Sequence, residues 1–345
     1  MKSMVLVATG TMELRDVPRP LIRSADDVLI RMSRVGVCGS DIHYYKTGRI
    51  GDQVVHFPFV LGHEGAGIVE EAGADVTGLK AGDRVAIDPA MPCWTCDQCL
   101  AGRFHTCRKL RFLGCPGQAE GCLSEYIIMP ASSCYTIPDT MTMDQAALTE
   151  PLSIGLHAAR LAPPLIHSTV GILGYGPIGM SVALMARQLG AARIYVTDKI
   201  PARLLIASAN GATWTGNPLN TNVVNEVLGM EPSMLDVVFE CCGQQEAIDQ
   251  AVDLLKPGGT LLILGIGGND TVQFPSHVMR RKELTIRNVR RQCDCVEETI
   301  DLISKGIINA TVMISHRFPL SLTSDAFDLV MDYRDGVMKA MIDLW

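Results

Sequence analysis

Thr169-Val170-Gly171-Ile172-Leu173-Gly174-Tyr175-Gly176-Pro177-Ile178-Gly179 decides the fold. Its first five residues are uncharged, mostly apolar and rich in branched side chains, which predicts a buried strand. Gly174, Gly176 and Gly179 then form a G-x-G-x-x-G turn, and Met180 to Leu189 predicts a helix stopped by Gly190. A second strand, Ile194-Tyr195-Val196-Thr197, follows, with Asp198 at its end, 24 positions after Gly174. Strand, glycine turn, helix, strand and acid in that order form a dinucleotide-binding fingerprint. Pyrophosphate approaches the bare backbone at a helix N-terminus, where amides and dipole favour negative charge. Gly174, Gly176, Pro177, Ile178 and Gly179 are therefore the cofactor-binding turn. Asp198 accepts the adenosine ribose hydroxyls and would repel a 2′-phosphate, so NAD is expected rather than NADP. Lys199 and Arg203, just beyond it, are the cations placed to soften that preference, and Arg203 is counted with the cofactor residues.

The alternation continues outward through Leu235-Asp236-Val237-Val238-Phe239-Glu240 and Thr260-Leu261-Leu262-Ile263-Leu264, with a turn predicted at Pro257-Gly258-Gly259. Strands separated by helical segments predict a doubly wound parallel sheet. Val296 to Ile303 has the period of an amphipathic helix. Upstream the chain reads differently. Val28-Leu29-Ile30-Arg31-Met32 and the glycine-punctuated Gly65 to Val85 predict short strands of a barrel-like β domain, with a helix starting near Asp41.

That β half holds two metal signatures. Gly62-His63-Glu64-Gly65-Ala66-Gly67 sets an imidazole beside a carboxylate, and Cys38 in Val37-Cys38-Gly39-Ser40-Asp41 offers a thiolate. Glu150 in Thr149-Glu150-Pro151 is a further carboxylate. Three protein ligands with an open fourth position mark a catalytic rather than a structural zinc. Cys93, Cys96, Cys99 and Cys107 are spaced C-x2-C-x2-C-x7-C. Four thiolates so close in sequence surround one ion with no coordination site left, which predicts a structural zinc. The remaining cysteines, Cys115, Cys122, Cys134, Cys241, Cys242, Cys293 and Cys295, are expected to be small buried apolar side chains or bystanders, and no role is assigned to the C-x-C of Cys293 and Cys295.

The 345 residues suit about two domains. The formal net charge of -7 and the absence of Lys/Arg clusters argue against nucleic acid, including a reading of the cysteine lobe as a nucleic-acid-binding ribbon. Leu161 to Ala186 carries no charged side chain, but glycines and prolines break it into strand, turn and helix, so no membrane span is expected. No secretory signal is legible at the N-terminus, and clustered cysteines then point to metal in a reducing cytoplasm.

Taken together, these motifs resemble the zinc-containing medium-chain dehydrogenases over essentially the full chain, and among them the polyol (sorbitol/L-iditol) dehydrogenases. The resemblance rests on Cys38-Gly39-Ser40-Asp41-Ile42-His43-Tyr44, Gly62-His63-Glu64, Glu150-Pro151-Leu152-Ser153-Ile154-Gly155-Leu156-His157-Ala158, Gly174 to Met180, and His316-Arg317-Phe318-Pro319-Leu320. It implies an α/β chain: a GroES-like β-barrel catalytic domain over 1–152 with a zinc lobe near 90–110, a Rossmann NAD-binding domain over 153–292, and a return to the catalytic domain over 293–345. It implies two zinc ions, with Cys38, His63 and Glu64 on the catalytic one and Glu150 either a direct ligand or the holder of the zinc-bound water. Asp41 would orient the ligand histidine. Ser40 and His43 would relay the substrate proton toward solvent, and Tyr44 and Arg291 would lie beside a polyol chain. The implied reaction oxidises a secondary hydroxyl to a ketone and passes hydride to NAD. Sister reactions on (R,R)-butanediol or L-threonine are the alternatives. A homodimer or homotetramer acting on a small molecule is expected. One departure bears on specificity: the polyol group has a tyrosine after the arginine, and here Gln292 stands there.

Overall fold

The computed structural model describes residues 1–268 and 271–345. The chain divides into one unit of Met1–Glu150 with Val296–Trp345 and a second of Pro151–Cys295. The first division falls inside a single helix, Met143–Leu161, whose start is capped reciprocally by Thr142 and Gln145.

In the second unit Thr169–Leu173, every residue of it buried, is paired in parallel on both sides, with Arg193–Thr197 and with Leu235–Glu240. Further parallel pairing adds Trp214–Gly216 on one side and Leu255–Ile263, then Thr285–Asn288, on the other. The spatial order is therefore third, second, first, fourth, fifth, sixth in sequence, a doubly wound sheet whose order reverses beside Thr169–Leu173. Leu173, Val238, Ile248 and Leu261 are among the side chains packed into its core.

Two local expectations need correction. The helix after the fingerprint begins at Pro177 rather than Met180 and runs to Gln188, because proline suits a first turn that has no use for its missing amide. Pro257-Gly258-Gly259 does not end a connection but lies within the strand Leu255–Ile263. Gly258 takes a left-handed φ of 79°, and the register slips between Leu235↔Leu255 and Val237↔Thr260. The glycines make a bulge, and pairing resumes beyond it.

The first unit is built on a seven-stranded sheet. Its spine is Asp27–Gly36, antiparallel to Glu64–Ala72 on one side and shared on the other between Tyr126–Pro130 and the C-terminal strand Lys339–Asp343. Val28, Ile30, Met32, Val35, Val69 and Ile342 lie in its apolar core. The C-terminal strand thus completes the sheet of the N-terminal unit. Among the described residues no helix is long and apolar enough to cross a membrane.

The glycine turn is sterically exacting. A Cβ on Gly179 would overlap the Gly174 carbonyl oxygen, so the helix can start this close to its strand only with glycine there. Gly179→Ala is expected to cost ~1–3 kcal/mol by overpacking and to weaken NADH binding. Thermal unfolding and NADH fluorescence titration check both, and a variant matching the parent in each would refute the close-packing role.

Candidate active site and metal centres

The first centre is assembled by a buried carboxylate. The helix Gly39–Thr47 begins directly after Cys38, which stands at its N-cap. One turn in, Asp41 is 1% exposed. Its Oδ2 accepts from the Cys38 amide at 3.2 Å, and its Oδ1 accepts from the Gly62 amide, also at 3.2 Å. His63 Nδ1 lies 3.3 Å from the same Oδ1, so the ring is fixed with Nε2 left for a metal. The donor atoms of Cys38, His63 and Glu64 all lie within 4.8 Å of one another. In the metal-free chain burial works against the charged His63 ring, but the charges of Asp41 and Cys38 and their hydrogen bonds outweigh it and hold its pKa well above the usual value. Protonation of His63 thus competes with metal uptake.

Glu64 opens the strand Glu64–Ala72 directly opposite Gly36. A Cβ on Gly36 would run into the Glu64 carboxylate, so glycine is what lets that side chain lie across its neighbour. Both carboxylate oxygens are taken by Lys339 Nζ, at 2.7 and 2.6 Å, and the same ammonium donates to the Val37 carbonyl at 3.1 Å. Glu64 and Lys339 are each 1% exposed. Burial pulls the Lys339 pKa down, but the charges of Glu64 and Cys38 raise it overall. Lys339 is a part of the centre that sequence reasoning missed.

Glu150 stands outside the Cys38–His63–Glu64 donor group, yet its charge is coupled to His63 and Glu64. Burial pushes its pKa up to about 8, and Oε2 is buried with no hydrogen-bond partner. An orphaned buried carboxyl beside three metal donors fits a zinc or its water. Ser40 Oγ donates to Cys38 Sγ at 3.4 Å, and His43 follows on the same helix, three residues later. Tyr44, buried on that helix, donates its phenol to Gln53 Oε1 at 2.8 Å and lies 3.8 Å from Cys115 Sγ.

The sulfurs of Cys93, Cys96, Cys99 and Cys107 also gather within 4.8 Å. Cys96 Sγ is 3.6 Å from Cys99 Sγ and 3.9 Å from Cys107 Sγ. Tetrahedral zinc with bonds of about 2.3 Å puts its sulfurs ~3.8 Å apart, so the donor set fits. Hydrogen bonds from Thr95 pull the Cys93 pKa down to about 6, while burial pushes Cys99 up to about 12. Among the other cysteines Cys115, Cys122, Cys134 and Cys295 are buried, as expected. Cys241 and Cys293 are only partly buried, and Cys242 is exposed. Cys241 and Cys242 belong to the turn after Leu235–Glu240, which the Glu240 carboxylate ties down through the Cys242 and Gly243 amides at 2.8 and 2.6 Å.

In the second unit Asp198 is buried at the end of its strand. Its Oδ2 accepts from the Tyr175 amide at 2.7 Å and its Oδ1 from the Ile200 amide at 2.8 Å, which ties it to the fingerprint turn. Arg203 Nη1 lies 4.0 Å from Asp198 Oδ2, and the side chain is within van der Waals reach of a Cβ on Gly176. These contacts bring Asp198 and Arg203 against the turn at Tyr175 and Gly176. Arg291 belongs to this unit as well, at a left-handed φ of 55°.

A dinucleotide sheet in the same chain as a Cys/His/Glu donor set and a four-cysteine lobe defines a metal-dependent dehydrogenase. Residues 24–139 match the alcohol dehydrogenase GroES-like domain and residues 177–305 the zinc-binding dehydrogenase domain. The sorbitol dehydrogenase of Bacillus subtilis (strain 168) is 34% identical over 343 residues, 99% of this chain and 97% of that protein. That of Gallus gallus is 39% identical over 320 residues, 92% and 89% of the two chains. A zinc-binding dehydrogenase from Sinorhizobium meliloti 1021, solved bound to NADP, superposes with a TM-score of 0.90 at 32% identity over 99% of this chain and 98% of that one. The chain belongs to the zinc-containing medium-chain dehydrogenases, close to their polyol dehydrogenases. The expected pairing of a GroES-like β domain with a Rossmann domain is its fold class.

Glu150 sets a pH signature. Its folded pKa lies above the unfolded value, so the unfolded chain ionises first as pH rises. The metal-stripped protein should lose stability between about 4.5 and about 8. Glu150→Gln should flatten that slope in chemical denaturation at a series of pH values. An unchanged slope would show that Glu150 does not ionise late.

Proposed function

We propose that this chain oxidises a secondary hydroxyl of a polyol to a ketone at the Cys38–His63–Glu64 centre, with NAD as the hydride acceptor. The observation that carries the reading is the gathering of thiolate, imidazole and carboxylate donors around Asp41, with the orphaned Glu150 oxygen beside them. When bound, zinc supplies a Lewis acid that lowers the pKa of the substrate hydroxyl, and the nicotinamide supplies the hydride acceptor. Cys38, His63 and Glu64 would hold the catalytic zinc, and Cys93, Cys96, Cys99 and Cys107 a structural one.

The protein's own contribution is positioning and proton handling. Asp41 keeps the His63 ring in one orientation. The hydroxyl proton passes to Ser40 Oγ, already poised against Cys38 Sγ, and on to His43. Glu150 stands outside the donor group, which suits the holder of a zinc-bound water better than a direct ligand. Its Oε2, buried with no protein hydrogen-bond partner, is free to accept from that water. Tyr44 and Arg291 flank the polyol chain. Asp198 accepts from the adenosine ribose, and Arg203 shields the pyrophosphate turn. The clustered cysteines, read as metal ligands, suit a reducing cytoplasm, and the family resemblance suggests a homodimer or homotetramer.

Two experiments test this. NADH formation across polyols, simple alcohols, (R,R)-butanediol and L-threonine should give its highest kcat/KM with a polyol. Turnover confined to butanediol or threonine would overturn the substrate class. Asp198→Ala should shift the kcat/KM ratio toward NADP by ~10-fold or more, and an unchanged ratio would show that Asp198 does not read the ribose.

A further inference from the structure

The Lys339 ammonium has no place in the proton path, yet it is fully buried against a metal ligand. It enters on the C-terminal strand Lys339–Asp343, whose antiparallel pairing with Asp27–Gly36 sets Met341 opposite Gly36. Gly36 in turn faces Glu64, so the sheet itself delivers the lysine to the carboxylate. Nζ spans both Glu64 oxygens and is anchored by the Val37 carbonyl, one residue before Cys38. Spanning both oxygens occupies the inner lone pair of each. Those lone pairs are also the favoured approach for a metal.

We propose that Lys339 is a positioning residue that stands in for zinc on Glu64 and competes with it, so that the strength of this ion pair sets the metal affinity of the catalytic centre. This inference rests on the zinc reading of Cys38, His63 and Glu64.

The argument is one of charge. A buried carboxylate without a counter-ion is costly, and among the described residues Lys339 is the ammonium paired with Glu64. In the metal-free chain the pair gives the Glu64 carboxylate its counter-ion and holds its two oxygens in place. On metal binding the carboxylate is shared or surrendered, and the lysine becomes a like charge beside a divalent cation. Both effects oppose zinc. Removing the ammonium raises the free energy of the metal-free centre and relieves repulsion in the loaded one, so both changes favour tighter binding.

This sign separates the proposal from a merely structural role. Loss of packing at a buried position loosens a metal site, whereas loss of a competing cation tightens it. The test is Lys339→Met, with Lys339→Gln as a second variant that keeps a hydrogen-bond donor but no charge. The full chain is titrated with zinc against a chromophoric chelator at fixed pH, and the four-cysteine lobe serves as internal reference. The thermal midpoint of each metal-stripped chain is read alongside.

The expected result is a catalytic-centre zinc Kd at least ~10-fold lower in both variants, with unchanged lobe affinity. The metal-stripped midpoint should fall, and the gain in midpoint on zinc addition should exceed that of the parent. An unchanged or weaker catalytic-centre Kd in either soluble variant overturns the competition. A parent chain that holds zinc only in its lobe overturns the zinc reading itself, and this inference with it.

Discussion

The Asp41 carboxylate is the constraint on which the first unit's chemistry depends. A buried carboxylate must have its oxygens satisfied, and here the Cys38 amide, the Gly62 amide and the His63 ring do so together. The two segments that carry the metal donors therefore cannot drift apart without exposing an unpaired charge. His63 is held by its Nδ1, and the very next residue, Glu64, enters a strand whose register against Gly36 fixes where its carboxylate lies. One short polar contact set thus converts two separate loops into a single donor group.

The charges around that group form a second level of order. Cys38, Asp41 and Glu64 bring acidic groups into a buried space, and burial keeps Glu150 protonated to about pH 8. In the metal-free chain the balancing cations are the His63 ring, whose pKa is held high, and the Lys339 ammonium. Each buried carboxylate of the group is thus paired with a nitrogen of the protein, Asp41 with the His63 ring and Glu64 with the Lys339 ammonium. In the second unit a buried carboxylate again holds a turn in place, as Asp198 pins the fingerprint turn through the Tyr175 amide.

Local patterns were the legible ones. The glycine fingerprint and the four-cysteine lobe each lie within a few turns of chain, so residue type and spacing alone disclosed them. Cys38 and His63 were recognisable as ligand types, although their juxtaposition needs the sheet. Lys339 was not legible, because it is one lysine in an ordinary strand and lies 275 residues from Glu64. Only antiparallel pairing of the C-terminal strand brings them together. The Pro257-Gly258-Gly259 stretch misled because the same glycine chemistry serves a bulge as well as a turn, and pairing partners decide which.

Zinc K-edge X-ray absorption on the purified chain tests the central claim most directly, since it reads the atoms around the metal. One four-sulfur site together with one Cys38–His63–Glu64 site predicts a mean of roughly two to three sulfurs per zinc, the remaining donors being nitrogen and oxygen. In Cys38→Ser the mean should rise toward four as the catalytic zinc is lost. A parent chain showing four sulfurs per zinc, with no nitrogen or oxygen shell, would contradict a metal centre at Cys38, His63 and Glu64.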